Sequence, residues 1–181
     1  MKKITAILLA VLSIASVCSC KKEQLALTYS NQEQKIDKYI SSATDRDSTI
    51  IVTRNKGSNR MTVVQGTGEK LMDYGHVSFY YAGYIFNGSA SSSGMFATNH
   101  QTTAEQAGWN LTGMDFSLFE TGLSSGELLE GLRYGLEGVQ AGEECEIIFS
   151  GKYGYGNKTF GIIPANSALL YKIWVVGVSN D

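Results

Sequence analysis

The sequence predicts an α+β domain in which short strands pack against one short helix, and three observations carry that expectation. Val77 to Phe86 alternates, placing Val77, Phe79, Tyr81, Gly83 and Ile85 on one face and Ser78, Tyr80, Ala82 and Tyr84 on the other. Leu132, Leu136 and Val139, spaced i, i+4 and i+7, form a narrow apolar helical stripe. Glu144 to Phe149 alternates again, with Cys145, Ile147 and Phe149 together, and a last apolar strand turns Leu169, Tyr171, Ile173 and Val175 one way and Leu170, Trp174 and Val176 the other.

The helix is intrinsically weak. Gly131, Gly135 and Gly138 each cost roughly 1 kcal/mol relative to Ala in a helix interior, so tertiary packing must hold it, with the following sheet as its partner. Gly142 stands where a C-cap or turn residue belongs before the strand begins.

At the amino end, Lys2 and Lys3 precede an apolar run, Ile4 to Val17, of about fourteen residues, short of the roughly twenty that a membrane span needs. This is the pattern of a signal peptide, residues 1–19. Val17-Cys18-Ser19-Cys20 resembles the lipobox of bacterial lipoproteins, which makes Cys20 the lipidation site and the membrane a partner through a lipid anchor. Removal of Cys18 and acylation of Cys20 leave Cys145 as the one thiol, so no intramolecular disulfide forms and Cys145 reads as a small core residue. The formal net charge of −2, made more negative by loss of Lys2 and Lys3, argues against nucleic acid.

Residues 20–30 read as lipidated cysteine and polar tether. An extension, residues 31–65, follows: an amphipathic helix from Asn31 to Ser42 with Ile36, Tyr39 and Ile40 on one face, then strands at Thr49–Thr53 and Arg60–Gln65 around a turn at 55–59. The extension is expected to pack over Leu170, Trp174 and Val176. Gly66-Thr67-Gly68 lacks the third glycine, the acidic ribose ligand and the helix of a dinucleotide loop, and reads as a turn. Before the main helix lies an insertion with a short helix at Thr102–Ala107 stopped by Gly108. Trp109 covers either the insertion's own core or the pocket edge. Gly122-Leu123-Ser124-Ser125-Gly126 fits a nucleophile-elbow pattern, but His76 and His100 both precede the serine, against the order such hydrolases use. The two separated histidines also give no metal-ligand cluster.

The order L-L-E-G-L-x-x-G-L from Leu128, V-x-x-G-E from Val139, K-Y-G-Y-G from Lys152 and G-I-I-P-A-N-S-A-L from Gly161 resembles the FKBP-type peptidyl-prolyl isomerases over about fifty residues. V-S-F-Y-Y-A-G-Y-I-F-N-G from Val77 is similar to that family's first core strand. The resemblance implies a curved antiparallel sheet wrapped around the short helix, residues 66–181. It places Tyr81, Phe96, Tyr155 and Ile163 as catalytic residues, with Tyr81 otherwise a core aromatic, and Phe119, Leu128, Leu129, Leu132, Ile162 and Tyr171 as substrate-binding residues. Phe119 is preferred to Phe116 on spacing. Tyr171 replaces the family's usual phenylalanine, and Ala97 stands where the family most often has an aspartate that orients the pocket.

The implied activity is isomerisation of X-Pro bonds in secreted or envelope proteins, by a monomer without cofactor or metal, outside the cytoplasm. The implied partners are proline-containing polypeptides and macrolide ligands. Two other readings stay open: a peptide-binding module or holdase chaperone with weak or no isomerase activity, and a structural or glycan-binding envelope lipoprotein.

Overall fold

The computed structural model describes residues 2–181, with side chains described from residue 22 onward. The elements are α1 (Lys2–Arg46), β1 (Ile51–Asn55), β2 (Ser58–Val64), β3 (His76–Ile85), β4 (Met95–Thr98), α2 (Gln101–Gln106), β5 (Phe119–Gly122), α3 (Glu130–Leu136), β6 (Glu144–Phe149) and β7 (Leu169–Ser179), with 3₁₀ turns at Ser92–Gly94 and Gly151–Tyr153. The signal peptide assigned to 1–19 and the lipidation site at Cys20 lie outside the residues whose side chains are described. Among the described residues no helix is long and apolar enough to cross a membrane.

The strands form one antiparallel sheet in the order β1-β2-β6-β7-β3-β4, and β5 pairs with the part of β3 that β4 leaves free. The expected α+β architecture is present: α3 lies on the inner face of this curved sheet. Leu132 and Leu136 pack there with Val139 against Phe79, Cys145, Ile147, Phe149, Leu169, Tyr171 and Ile173. The helical glycines have a steric reason. A Cβ on Gly131 would lie 2.2 Å from Phe149 Cγ, and one on Gly135 2.2 Å from Ile147 Cγ2. Close approach to β6 buries leucines at roughly 1.5–3 kcal/mol each, which outweighs the propensity cost of about 1 kcal/mol per glycine.

The helix ends sooner than its apolar stripe. Gly138 takes a left-handed φ of 83°, so Val139 lies in the turn beyond, fully buried. Arg60 Nη1 donates to the carbonyls of Gly135 and Glu137, both at 2.8 Å, placing a cation on the helix's carboxyl end. Arg60 Nε lies 3.2 Å from Glu143 Oε1, with its N–H off the hydrogen-bonding line, so the contact is an ion pair. Thr62 Oγ1 also donates to that carboxylate.

A second core covers the sheet's outer face. From α1, Ile36, Ile40 and Ala43 meet Met61, Ala82, Tyr84, Phe86, Ile148 and Leu170. Tyr39 adds a hydrogen bond from its hydroxyl to Glu146 Oε2 at 2.8 Å. The sheet is therefore buried on both faces, with core around Leu132 on one side and around Ile36 on the other.

Three expectations change. The stretch assigned as a tether is helical, and α1 passes through Asn31 without a cap; Lys, Glu, Gln, Leu and Ala between residues 21 and 27 are strong helix formers, which favours its extension. The turn between β1 and β2 is shorter than residues 55–59, because Lys56 and Gly57 both adopt left-handed backbone (φ 48° and 87°), the two-residue turn whose twist matches paired strands. Leu170 is covered by α1, but Val176 is 51% exposed, bulged out where the register between β3 and β7 shifts. Trp174 is half-buried. It flanks the second core and is stacked by His100, at the start of α2, with ring centroids 4.0 Å apart.

Cys145 is buried as expected, and burial pushes its thiol well above the ordinary cysteine range. Trp109 packs against the second core.

Candidate functional site

The site begins where β3 changes partner. β5 pairs with His76 to Phe79 and β4 with Ala82 to Tyr84, leaving Tyr81 at the junction. Its backbone is held by two neighbouring residues: Tyr81 N–H donates to Asn99 Oδ1 at 2.6 Å, and Tyr81 O accepts from Thr98 Oγ1 at 2.7 Å. Asn99, itself buried, also donates to Ser117 O at 2.9 Å, which ties the segment entering β5, and hence Phe119, to the same point. A buried amide with every polar atom bonded is a stiff joint.

Around Tyr81 lies a cavity of about 480 Å³ between α3, β3, β4, β5, β7 and the loop after β6. All ten family-matched residues line it: Tyr81, Phe96, Phe119, Leu128, Leu129, Leu132, Tyr155, Ile162, Ile163 and Tyr171. The choice of Phe119 places that ring 5.3 Å from Phe79 and 6.2 Å from Tyr81, both edge-to-face. Tyr171 stacks on Phe149 at 6.0 Å and meets Phe96 edge-on at 5.8 Å. Gly83 makes the last contact fit, since a Cβ there would lie 2.6 Å from Phe96 Cζ and 3.1 Å from Tyr171 Cε1.

The loop closing the cavity's mouth is built on a tight turn. Phe160 and Ile163 exchange backbone hydrogen bonds of 3.0 and 2.8 Å around Gly161, whose φ is 53°. This turns Ile163 inward, buried, and leaves Ile162 67% and Phe160 59% exposed at the rim. Phe160 stacks on Tyr155 with centroids 4.6 Å apart and planes 6° apart, which widens the aromatic wall outward.

The polar content is small. Burial raises the phenols of Tyr81, Tyr155 and Tyr171 above the ordinary tyrosine value, and in Tyr155 and Tyr171 the neighbouring phenols add to it. None of the three hydroxyls is hydrogen-bonded among the described residues, so each remains a protonated donor. Glu127 is the one carboxylate on the lining; it accepts from Thr121 Oγ1 at 2.7 Å and sits at the exposed rim. Ala97 also lines the cavity, with a methyl group where the family usually has a carboxylate. Such a site can enclose an apolar ring and donate hydrogen bonds to a carbonyl, but holds no nucleophile with an adjacent base.

Sequence reasoning missed Phe79, Glu127, Phe160 and Gly161 on the lining, and Thr98 and Asn99 behind it. Phe79 was signalled by its place two residues before Tyr81 on one strand face. Nothing in the local pattern distinguishes Asn99, whose role depends on three segments meeting.

The family model described as FKBP-type peptidyl-prolyl cis-trans isomerase matches residues 68–176. FK506-binding protein 1 of Aspergillus oryzae is 23% identical over 123 residues, covering 68% of this chain and 99% of that protein. FK506-binding protein 1 of Yarrowia lipolytica is 32% identical over 62 residues, covering 34% of this chain and 57% of that protein. Among solved structures, a peptidyl-prolyl cis-trans isomerase of Pseudomonas syringae pv. tomato shares the fold with a TM-score of 0.58 at 16% identity, covering 86% of this chain and 96% of that one. With more than half of its length matched, including every residue gathered on the cavity, this chain belongs to the FKBP-type peptidyl-prolyl cis-trans isomerase family.

Proposed function

We propose that this chain is a peptidyl-prolyl cis-trans isomerase acting on proline-containing polypeptides. The carrying observation is the convergence of Tyr81, Phe96, Phe119, Leu132, Tyr155, Ile163 and Tyr171 on one apolar cavity of about 480 Å³. An X-Pro bond resists rotation because amide resonance sets a barrier of roughly 18–20 kcal/mol. In the twisted transition state the C–N bond loses resonance and the carbonyl loses part of its dipole. A water-poor aromatic enclosure favours that state over the planar one. The ring of proline enters between Tyr81, Phe96 and Leu132, Ile163 closes over it, and the free phenols with the Leu129 N–H donate to the flanking carbonyls. No residue acts as general acid or base.

The basic and apolar leader with Val17-Cys18-Ser19-Cys20 supports an extracytoplasmic, lipid-anchored bacterial form, with secreted or envelope proteins as clients and a monomer as the working unit. A second reading, a peptide-binding module or holdase with little turnover, is favoured by Ala97, which leaves the lining without the family's carboxylate.

A protease-coupled assay on proline tetrapeptides tests the proposal: a rate above buffer at micromolar protein is expected, and a rate equal to buffer overturns the enzyme reading. FK506 binding without turnover selects the binding module.

A further inference from the structure

The loop that carries Tyr155, Phe160, Ile162 and Ile163 leaves the sheet at Ser150 and returns at Asn166, and its two ends touch. A Cβ on Gly151 would lie 2.4 Å from the Asn166 carbonyl carbon and oxygen. Asn166 takes a left-handed φ of 60° to make that return. Two backbone groups at this junction face out of the loop: the Gly151 N–H, which opens a 3₁₀ turn and has no acceptor within it, and the Asn166 carbonyl.

One side chain meets both. Gln32, on α1, accepts from Gly151 N–H at 2.9 Å and donates from Nε2 to Asn166 O at 2.7 Å. Tyr29, three residues earlier on the same helix face, donates its hydroxyl to Asn166 Oδ1 at 2.8 Å. Ile36, one turn later and fully buried, fixes α1 itself to the sheet. Within the loop the bonding continues: Asn166 N–H donates to Gly156 O, and Gly156 N–H to Gly151 O at 3.0 Å. A connected set of hydrogen bonds thus runs from α1 through the loop base to the residue beside Tyr155.

We propose that Gln32 is a positioning residue for the cavity. With Tyr29 it clamps the base of the loop, so that Tyr155 and Ile163 keep their places, and affinity in the cavity is set in part by a helix outside the 68–176 family match. The affinity consequence rests on reading the cavity as the proline-peptide site; the clamp itself does not.

Amide hydrogen exchange on the full chain tests it. Gln32→Ala removes two hydrogen bonds, enough for about tenfold faster exchange at Gly156 and Asn166, while amides of β6 and β7 keep their rates. Gln32→Glu retains the acceptor for Gly151 and loses the donor, and falls between. Tyr39→Phe removes the α1 bond to Glu146 and leaves loop exchange and FK506 affinity unchanged. In the Gln32 variants FK506 affinity falls several-fold. Exchange that rises uniformly through β6 and β7, or stays constant at Gly156 and Asn166, overturns the clamp. Local loosening with FK506 affinity intact overturns the coupling. If the wild type neither binds FK506 nor turns over X-Pro peptides, the proposed function falls, while a change confined to the loop still supports the clamp.

Discussion

Gly83→Ala tests how tightly the cavity wall is built. Gly83 pairs with Ala97 on one side and Tyr171 on the other, so its backbone is fixed between two strands. The added methyl would stand 2.6 Å from Phe96 Cζ and 2.7 Å from Cε2. Ordinary carbon contacts are about 3.5–4.0 Å, so the ring must retreat by about 1 Å. Phe96 is only half-buried and the cavity is the open side, so the ring moves into it. Overpacking costs about 1–3 kcal/mol, and the stiffer unfolded chain returns about 0.4–1 kcal/mol, for a net loss of about 1–2 kcal/mol. FK506 affinity should fall at least tenfold, the equivalent of about 1.4 kcal/mol. Urea unfolding gives the first quantity and ligand titration the second. Stability lost as expected with affinity kept within twofold would show that the sheet gives way rather than Phe96, and the reasoning would fail.

Three further outcomes are expected. Tyr171→Phe removes a phenol oxygen that has no hydrogen-bond partner among the described residues, so the urea midpoint should hold or rise while kcat/KM on X-Pro peptides drops two- to tenfold; a midpoint lowered by a full hydrogen bond, about 1 kcal/mol, would reveal a partner within the protein. Arg60→Ala should cost about 3–5 kcal/mol, since Glu143, 4% exposed, loses its counter-charge and α3 its carbonyl donor; a cost below about 1 kcal/mol in urea unfolding would contradict this. Stability should be flat at neutral pH and fall on the alkaline side. Cys145, Tyr81, Tyr155 and Tyr171 are raised when folded, so the unfolded chain releases their protons first, from the ordinary values of 9.0 and 10.0 upward, and binds fewer protons there. A urea midpoint constant from pH 7 to 11 would refute it.

Much of this was legible because the local patterns agree with the fold. The alternation at Val77 to Phe86 and Glu144 to Phe149 assigned faces that the two cores then occupied, and the ordered loop motifs located the lining. What stayed hidden depends on contacts between distant segments. Arg60 reads only as the first residue of a short strand until β2 is placed beside β6, which brings it under the end of α3. Residues 20–30 read as a tether because they carry no apolar period, yet strong helix formers continue α1 through them and Tyr29 bonds the distant Asn166. Val176 belongs to the outer face by alternation, but one bulged residue breaks the period there.

The place of β7 in the sheet governs how the chain must assemble. It lies between β6 and β3, and its ladder with β3 joins residues as far apart as His76 and Ser179. Its sides serve both cores, Leu169, Tyr171 and Ile173 inward and Leu170 outward. A chain emerging from its amino end therefore carries α1 and the β1–β2 hairpin with no completed wall to close on. Only when the last strand arrives do the two apolar layers gain their shared partition. Contact order is correspondingly high and folding slow. Trimming residues 169–179 would not yield a smaller domain: it would remove the middle of the sheet and release both layers at once.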